Sequence, residues 1–247
     1  MTLSSVFTSD LVKELFNFTA ITGIVILTLL LKAVRDFLIN IVTLIVKKFL
    51  NKLSFRESAG LIAYIRDRLV ELRTMMDADR AYVHEFKNGE QFSAKNPVWR
   101  VFRTYEKCRE GIIYQSSTLK GENVSTIFDT IEPVLIGSTK NAGMKIMDCN
   151  ACPHPCKSRN TVIYKIDEMP HTASRQMMIS HNVKVSVQVG LNVRNNVVGI
   201  LGMEYCDELS NTLAHDEEWM NKCCKTINEY ADKIEYALTN PSNFKVL

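Results

Sequence analysis

The sequence predicts an α+β protein in which an N-terminal transmembrane helix and an amphipathic helix precede an antiparallel sheet flanked by helices. Three observations predict this class: an apolar run at 15–31, a strict alternation of apolar and polar residues at 183–193, and amphipathic helical patterns before and after the strand region. Alternation at every second residue indicates a strand, and steps of three and four indicate a helix. Because these patterns stand in separate blocks, an α+β fold is favoured.

The apolar run at 15–31 (LFNFTAITGIVILTLLL) follows a short tail at 1–14 and predicts a transmembrane helix. Its length is at the lower limit of roughly 17 residues that a helix needs to cross a bilayer. A cleaved signal peptide would have a basic region before the run and a small-residue cleavage site after it, and this run fits that pattern poorly. A buried core helix is the other alternative.

The charges around the run predict its orientation. Basic residues cluster from Lys32 to Arg56, whereas Lys13 is the one basic residue before the run. Since positive residues mark the cytoplasmic side of a span, we expect a single-pass protein of the inner (plasma) membrane with its soluble domain in the cytosol. The odd number of cysteines, seven, fits a reducing compartment, because an oxidising one would leave a thiol unpaired.

Residues 32–53 predict a basic amphipathic helix next to the membrane. Apolar residues recur there at steps of three and four, with polar residues on the other side. Such a helix can lie among the lipid headgroups, or it can pack on its own domain or on a sister chain. A helical hairpin with a short second leg is a further alternative. The net charge of +3 comes largely from this region, so we expect the lipid bilayer as a partner and no nucleic acid.

A capping-box pattern at Ser54 and Glu57 predicts that a new helix begins there and ends near Met76. Its apolar residues fit the seam of a short parallel coiled coil, which would make the protein a homo-oligomer. They fit a helix packed on a sheet equally well. These residues are Ile62, Ile65, Leu69, Leu72 and Met76.

Strands are predicted at 80–86, around Trp99 to Tyr105, at 183–193 and at 197–205. The segment 87–90 (KNGE) predicts a turn after the first strand, because Asn-Gly is a common hairpin turn. The alternation at 183–193 predicts one buried face and one solvent-exposed face. Gly199 and Gly202 predict a bulge or a close backbone approach.

Two further helices complete the predicted domain. A short helix is expected at 126–136, and a long one after Asp216, whose neighbouring acidic residues suit the positive end of the helix dipole. The helices are expected on one side of the sheet. The domain then spans 54–240, with a tail at 241–247.

Three segments carry a resemblance to a known family: ADRAYVHEFKNGEQF, RTYEKCREGI, and NVKVSVQVGLNVRNNVVGILGMEY before an amphipathic helix. Together they resemble the GAF-domain pattern, in particular the F-H-N-G subgroup found in bacterial and phage proteins. Lys87 stands where that subgroup often has His, and a cysteine-rich insertion occupies 144–160. The resemblance implies a GAF-like domain at 54–240 that binds a small molecule or a protein regulator and is not an enzyme.

Residues on the first two predicted strands are candidates for a ligand pocket, although aromatic residues at these positions also suit a core. His84 fits a structural histidine better than a catalytic one. Glu85, Glu106 and Glu110 fit a solvated face better than an acid–base pair. The candidate ligand-binding residues are Tyr82, His84, Phe86, Asn88, Phe92 and Tyr105.

The cysteine-rich insertion contains the candidate metal ligands Cys149, Cys152, His154 and Cys156. Three thiolates and an imidazole are the ligand types of tetrahedral zinc, and zinc is therefore a possible cofactor. A second Cys-x-x-Cys motif, which would complete a strong site, is missing from the sequence, so the fourth ligand would have to be His154, His171 or Asp148. An iron–sulfur cluster, a disulfide or redox pair, and plain loop cysteines are the alternatives.

Two functions are compatible with these patterns. The first is a membrane-anchored sensing or docking module that passes binding in the sheet domain through the helix at 54–76 to the membrane helices. The second follows from a similarity in size and layout to the holins of T-even phages, lysis-timing proteins with one span and a periplasmic domain that receives an inhibitor signal. The sequence has no phosphate-binding Gly-rich loop, His-Glu-x-x-His motif or nucleophile elbow, which argues against an enzyme.

Overall fold

The computed structural model describes residues 29–32, 34–42, 55–93, 96–115, 120–137, 142–148 and 159–244. The chain divides into two compact units, Met1–Ser54 and Phe55–Leu247. In the first unit, residues 29–32 and 34–42 are helical. Most of the predicted span at 15–31, and residues 43–53 of the predicted amphipathic helix, lie outside the described residues. Among the residues that are described, no helix is both long and apolar enough to cross a membrane.

The second unit is built on a seven-stranded antiparallel sheet with the strand order β3-β2-β1-β7-β6-β5-β4. This confirms an α+β fold. The strands are β1 (Arg80–Ser93), β2 (Asn96–Cys108), β3 (Lys120–Asn123), β4 (Met144–Asp148), β5 (Asn160–Lys165), β6 (Val185–Val193) and β7 (Asn196–Tyr205). The helices are α1 (Phe55–Met75), α2 (Phe128–Ile136), α3 (Ala173–Ser180), α4 (Leu209–Leu213) and α5 (Glu217–Thr239), with 3₁₀ turns at Val124–Thr126, Ile166–Glu168 and Pro241–Asn243.

Helices α1 and α5 cover one face of the sheet, which we call the apolar face, and bury the larger core against it. Helix α5 begins at the N-cap Asp216, whose carboxylate accepts hydrogen bonds from the Glu218 and Trp219 amides. The α1 stripe packs inside the domain against α5, β1 and β2, so most of the predicted coiled-coil seam has an intramolecular partner. Of the predicted seam, Ile62 is 40% exposed, and the other members are buried: Ile65, Leu69, Leu72 and Met76.

Helices α2 and α3 cover the opposite face, which we call the polar face. The prediction of helices on one side of the sheet is therefore wrong, and so is the solvent-exposed face of 183–193. Ser186, Gln188 and Gly190 are all buried, and the Gln188 amide donates to the Tyr82 hydroxyl (3.1 Å) and the Ser186 hydroxyl (3.2 Å). Polar residues alternate here because they bond to one another beneath a second helical layer.

The turn predicted at 87–90 is also wrong, because β1 continues to Ser93. Lys87 pairs with Arg100 and Asn88 pairs with Trp99 in the β1–β2 hairpin. The register of the hairpin shifts between Asn88 and Gln91. Glycine is common at such irregularities, so Gly89 marks a break in the register within the strand.

Gly199 and Gly202 lie where β7 passes close to β1, as the sequence predicts. A Cβ atom at Gly199 would collide with the backbone carbonyl oxygen of His84, and one at Gly202 would collide with the Tyr82 ring. Both glycines therefore make room for β1 residues of the polar face.

We expect Gly199→Ala to lower the free energy of unfolding by about 1–3 kcal/mol, because the added methyl group must displace the His84 backbone. Urea denaturation measures this change. Gly190→Ala is the matched control, since its Cβ would meet only Val134 Cγ1 at 3.8 Å. Equal stability of the two variants would contradict the close approach.

Candidate ligand-binding site

Four ionisable residues gather beneath α2 and α3 on the polar face, and we call them the charged cluster: Arg80, Arg103, Glu106 and Glu204. Each is at most 7% exposed. Arg103 and Glu106 are three residues apart in β2, and in a regular strand they would lie on opposite faces. They share a face because the register shifts between two neighbouring pairs, Val83 with Tyr105 and His84 with Arg103. Two positive and two negative side chains are thus buried together.

The Arg103 guanidinium is the centre of the charged cluster. It donates to Glu204 Oε1 (2.7 Å), to Glu106 Oε1 (3.0 Å) and to His84 Nε2 (3.0 Å). It also lies 3.8 Å from the centre of the Tyr82 ring, a cation–π contact. Burial lowers the pKa of Arg103, but the attractions of Glu204, Tyr82 and Glu106 and the hydrogen bond to Glu204 together outweigh burial and raise it overall. Arg103 therefore stays charged inside the domain.

Glu204 joins the two arginines. Its Oε2 atom accepts hydrogen bonds from Arg80 (3.2 Å), Arg103 (3.4 Å) and Gln115 (3.4 Å). Burial raises the pKa of this carboxyl, but the charges of Arg103 and Arg80 more than offset burial and hold the pKa below its usual value. Arg80 also donates to the carbonyl of Ile113 (3.2 Å), so the cluster holds the loop after β2 in place.

His84 has the structural role that the sequence favours. Its Nε2 atom faces the Arg103 N–H and accepts its hydrogen bond, which assigns a lone pair to that nitrogen. Burial, together with the positive charge of Arg103, lowers the pKa of His84 well below 6.5. Only about 20 Å³ of empty space remains around Tyr82, His84 and Arg103. That volume is of the order of one water molecule, so the centre of the polar face is filled by its own side chains.

Two thiols border the charged cluster. Cys206 Sγ lies 3.3 Å from Arg80 Nη1. Burial raises the pKa of Cys206 to about 11 and, with a contribution from Glu106, that of Cys108 to about 12. A thiol reacts as its thiolate, so these two are weak nucleophiles at neutral pH.

An apolar cavity of about 290 Å³, which we call the groove, opens beside the charged cluster. Trp99 and Phe128 stand at its mouth, with 48% and 43% of their surfaces exposed. Ile131 separates the groove from the charged cluster, since it also lines the small space at Tyr82 and His84. The described residues that line the groove are Phe86, Trp99, Val124, Phe128, Ile131, Leu135 and Val197.

A larger, polar cavity of about 790 Å³ lies where the β6–β7 turn meets the end of α5. Arg159 binds Asp232 at 2.7 Å and also contacts Glu235, whose other oxygen accepts from the Asn192 amide. These bonds connect residue 159 and β6 to α5. We therefore assign a structural role to Arg159, Asp232 and Glu235.

The structure brings together only some of the predicted ligand-binding residues. Tyr82 and His84 contact the charged cluster, and Phe86 lines the groove. Asn88 is exposed further along β1, and Tyr105 packs against the core of the opposite, apolar face. Phe92 belongs to β1, but its side chain lies outside the described residues.

Sequence reasoning missed the charged cluster, and it placed Glu106 on a solvated face. Glu106 is instead buried, with Oε2 accepting from the Gln115 amide at 2.7 Å. One signal was available: Glu204 stands in the otherwise uncharged strand at 197–205. A lone carboxylate in such a strand needs a buried partner, although the sequence does not identify that partner.

The candidate zinc ligands Cys149, Cys152, His154 and Cys156 lie outside the described residues. Among the residues described, three or more His, Cys, Asp or Glu side chains nowhere form a group suited to a metal ion. The zinc site therefore stays a prediction.

No known family model matches the chain, and no curated protein matches it in sequence. Solved structures that resemble it include GAF domains. The blue-light-absorbing form of the PixJ GAF domain from Thermosynechococcus elongatus is 9% identical, with 78% of this chain and 95% of that chain covered and a TM-score of 0.46. The phycoerythrobilin-bound GAF domain from a cyanobacterial phytochrome is 13% identical, with 77% and 98% covered and a TM-score of 0.45. At these values the likeness assigns no ligand or activity to this chain.

We expect Glu204→Gln to lower the free energy of unfolding by about 3–5 kcal/mol, because it leaves two buried arginines with one carboxylate. Glu208→Gln is the matched control. Glu208 pairs with Lys184 at the surface, with 72% of its side chain exposed, so we expect a loss below about 1 kcal/mol. Urea denaturation of both variants measures the difference, and similar losses would contradict a buried ion network.

The lowered pKa of His84 predicts a loss of stability in mild acid. The unfolded chain binds a proton at His84 below pH 6.5, whereas the folded chain does not. The free energy of unfolding should therefore fall, by up to about 1.4 kcal/mol per pH unit, as the pH drops below 6.5 towards the pKa of the folded protein.

Urea denaturation at several pH values tests this dependence. His84→Gln should remove the slope just below pH 6.5, and His215→Gln should keep it, because His215 is exposed. A slope that persists in His84→Gln would show that another group titrates.

Proposed function

We propose that this chain is a non-catalytic, GAF-like sensing or docking module, held at a membrane by its N-terminal segment and regulated by a small molecule or protein partner. The observation that carries this proposal is the arrangement of the polar face. Its buried charges bind one another, while an apolar groove beside them remains open. Such a site suits recognition better than chemistry.

The state of the titratable groups supports a role without catalysis. In the described part of the polar face, both carboxylates of the charged cluster accept hydrogen bonds from arginine. His84 already accepts a hydrogen bond and has a pKa well below neutrality. A general base needs a pKa near the working pH and access to the substrate, and His84, which is buried, meets neither condition.

The helical residues of the first unit support a membrane location. Eight of their large apolar side chains are more than half exposed, and an aqueous protein seldom leaves so many apolar groups uncovered within so few residues. A lipid environment would cover them. These side chains are Leu29, Leu30, Leu31, Val34, Phe37, Leu38, Ile39 and Val42.

Strand β1 offers a short path from the polar face to α1. Tyr82 and His84 point to the polar face, while Ala81 and Val83 belong to the core that α1 also fills. A shift of β1 on binding would therefore change the packing of α1, whose first residue, Phe55, directly follows the N-terminal unit in the chain. We propose that α1 passes binding to the membrane segment in this way.

We expect the full-length chain with a tag after Leu247 to sediment with membranes and to require detergent for release. Deletion of 15–53, which removes both the predicted span and the predicted amphipathic helix, should move it to the soluble fraction, since no predicted membrane-binding segment then remains. In spheroplasts the tag should resist external protease.

Digestion of the tag would contradict the cytosolic placement and favour the alternative, a holin-like protein whose soluble domain receives an inhibitor signal in the periplasm. Abrupt loss of membrane potential during expression would also favour that alternative. A full-length chain that is soluble without detergent would contradict both functions.

We also propose that Cys149, Cys152, His154 and Cys156 bind zinc, because these ligand types suit a tetrahedral site. Elemental analysis of the purified chain should find about one zinc per chain, and Cys152→Ser should lower the content several-fold. Cys223→Ser is the control, since Cys223 is buried in α5. A content below about a tenth of a zinc per chain would contradict this site.

A further inference from the structure

We propose that the groove is the ligand site of this module and that it takes a small, uncharged, mainly apolar molecule with a flat ring. This inference rests on the proposed sensing function and deepens it. It also moves the site away from Tyr82 and His84, whose surroundings are filled, to the space between Trp99, Phe128 and Leu135.

The lining of the groove excludes charged ligands. Every described side chain that lines it is apolar, so a ligand charge would lose its water without gaining a partner. Lys87, which directly follows the groove residue Phe86 in β1, does not line the groove. It pairs with Glu85 at 3.0 Å and lies 5.2 Å from the centre of the Phe102 ring.

The size of the groove favours a small molecule over a peptide. Its volume of about 290 Å³ is close to the lower end, roughly 300 Å³, of small-molecule pockets. A helix from a partner, about 10 Å wide with its side chains, would need a longer and wider groove. Three aromatic side chains, Phe86, Trp99 and Phe128, line the space, and aromatic rings pair well with flat ligands.

The exposed apolar side chains at the mouth of the groove favour the binding of an apolar ligand. Trp99, Phe128, Val197 and Leu135 are 48%, 43%, 41% and 37% exposed. A ligand seated among them would cover part of each side chain and remove apolar surface from water.

Ile131 connects the groove to the charged cluster, so a ligand in the groove affects the residues around that cluster. This side chain lines the groove and also the small space that contains Tyr82, His84 and Arg103. Because that space is almost full, a ligand that presses on Ile131 must move either α2 or the charged cluster. Phe86 of β1 also lines the groove, so a ligand there contacts β1 directly.

Tryptophan fluorescence of the full chain in neutral maltoside micelles tests the site, with 1-aminoanthracene as the uncharged probe. The chain has two tryptophans, and Trp219 packs against Tyr205 on the apolar face. Trp219→Phe leaves only Trp99 to report, and Trp99→Phe leaves only Trp219. We expect the probe to quench Trp99 saturably, and to quench Trp219 several-fold less, because only Trp99 touches the groove.

Variants of α2 test whether the groove itself binds the probe. In the Trp219→Phe background, Leu135→Trp should fill the cavity, and Leu135→Glu should place a charge in it. We expect each to weaken binding by about tenfold or more, measured for Leu135→Trp by the probe's own emission. Ile136→Glu is the matched control, since Ile136 is 69% exposed and does not line the groove. Urea denaturation of each variant identifies any that fails to fold.

The outcomes separate this inference from the proposed function. If the probe binds saturably but Leu135→Trp weakens binding no more than Ile136→Glu does, the groove is overturned as the site. The sensing function would still stand. If the probe quenches Trp99 and Trp219 equally, only the micelle takes up the probe, and the groove is again overturned as the site. Tight binding of the anionic probe anilinonaphthalene sulfonate at Trp99 would overturn the uncharged class of ligand. Membrane attachment is measured separately and is independent of all three results.

Discussion

The pairing of Arg103 with Glu204 in the interior of the sheet is the constraint on which the polar face depends. Each of these ions would be very costly to bury alone, so the face is stable only while both are present and in contact. Arg80 and Glu106 complete the balance, and together the four side chains hold the hairpin β1–β2, the strand β7 and the loop to Gln115 in one arrangement. The same pairing keeps the positive charge of Arg103 beside His84, which, together with burial, holds the pKa of His84 well below 6.5.

The sheet separates two hydrophobic cores, one packed against each of its faces. Along β1, successive side chains enter the apolar core with α1 and the polar layer under α2. A close-packed strand transmits displacement because its neighbours leave little empty space. A molecule that displaces Ile131 of α2 would thus press on residues of the strand that supports α1, as the proposed sensing function requires.

Local patterns predicted much of the fold. The steps of three and four at 54–76 and after Asp216, and the alternation at 183–193, correspond to α1, α5 and β6. Periodicity works because it reports which side of an element is apolar. At 183–193 periodicity did not predict the surroundings of the polar side chains. A sequence shows Ser186 and Gln188 in the same way whether water or a buried partner binds them. The prediction failed at 87–90 because a bulge and a turn share the same Asn-Gly chemistry.

What the sequence determined by itself is α1, α2, α5 and the strands β1, β2, β6 and β7, together with the close approach at Gly199 and Gly202, since the periodicity of each element depends on neighbours within a few residues. It did not predict β3, β4, β5, α3 or α4. Only the tertiary structure decided that Arg80, Arg103, Glu106 and Glu204 meet, and that Trp99 and Phe128 open a groove beside them. These contacts join β1, β2, β7 and α2, and Glu106 and Glu204 are separated by about a hundred residues of chain. Their partners were set by sheet register and by the bulge opposite His84, which no local pattern contains.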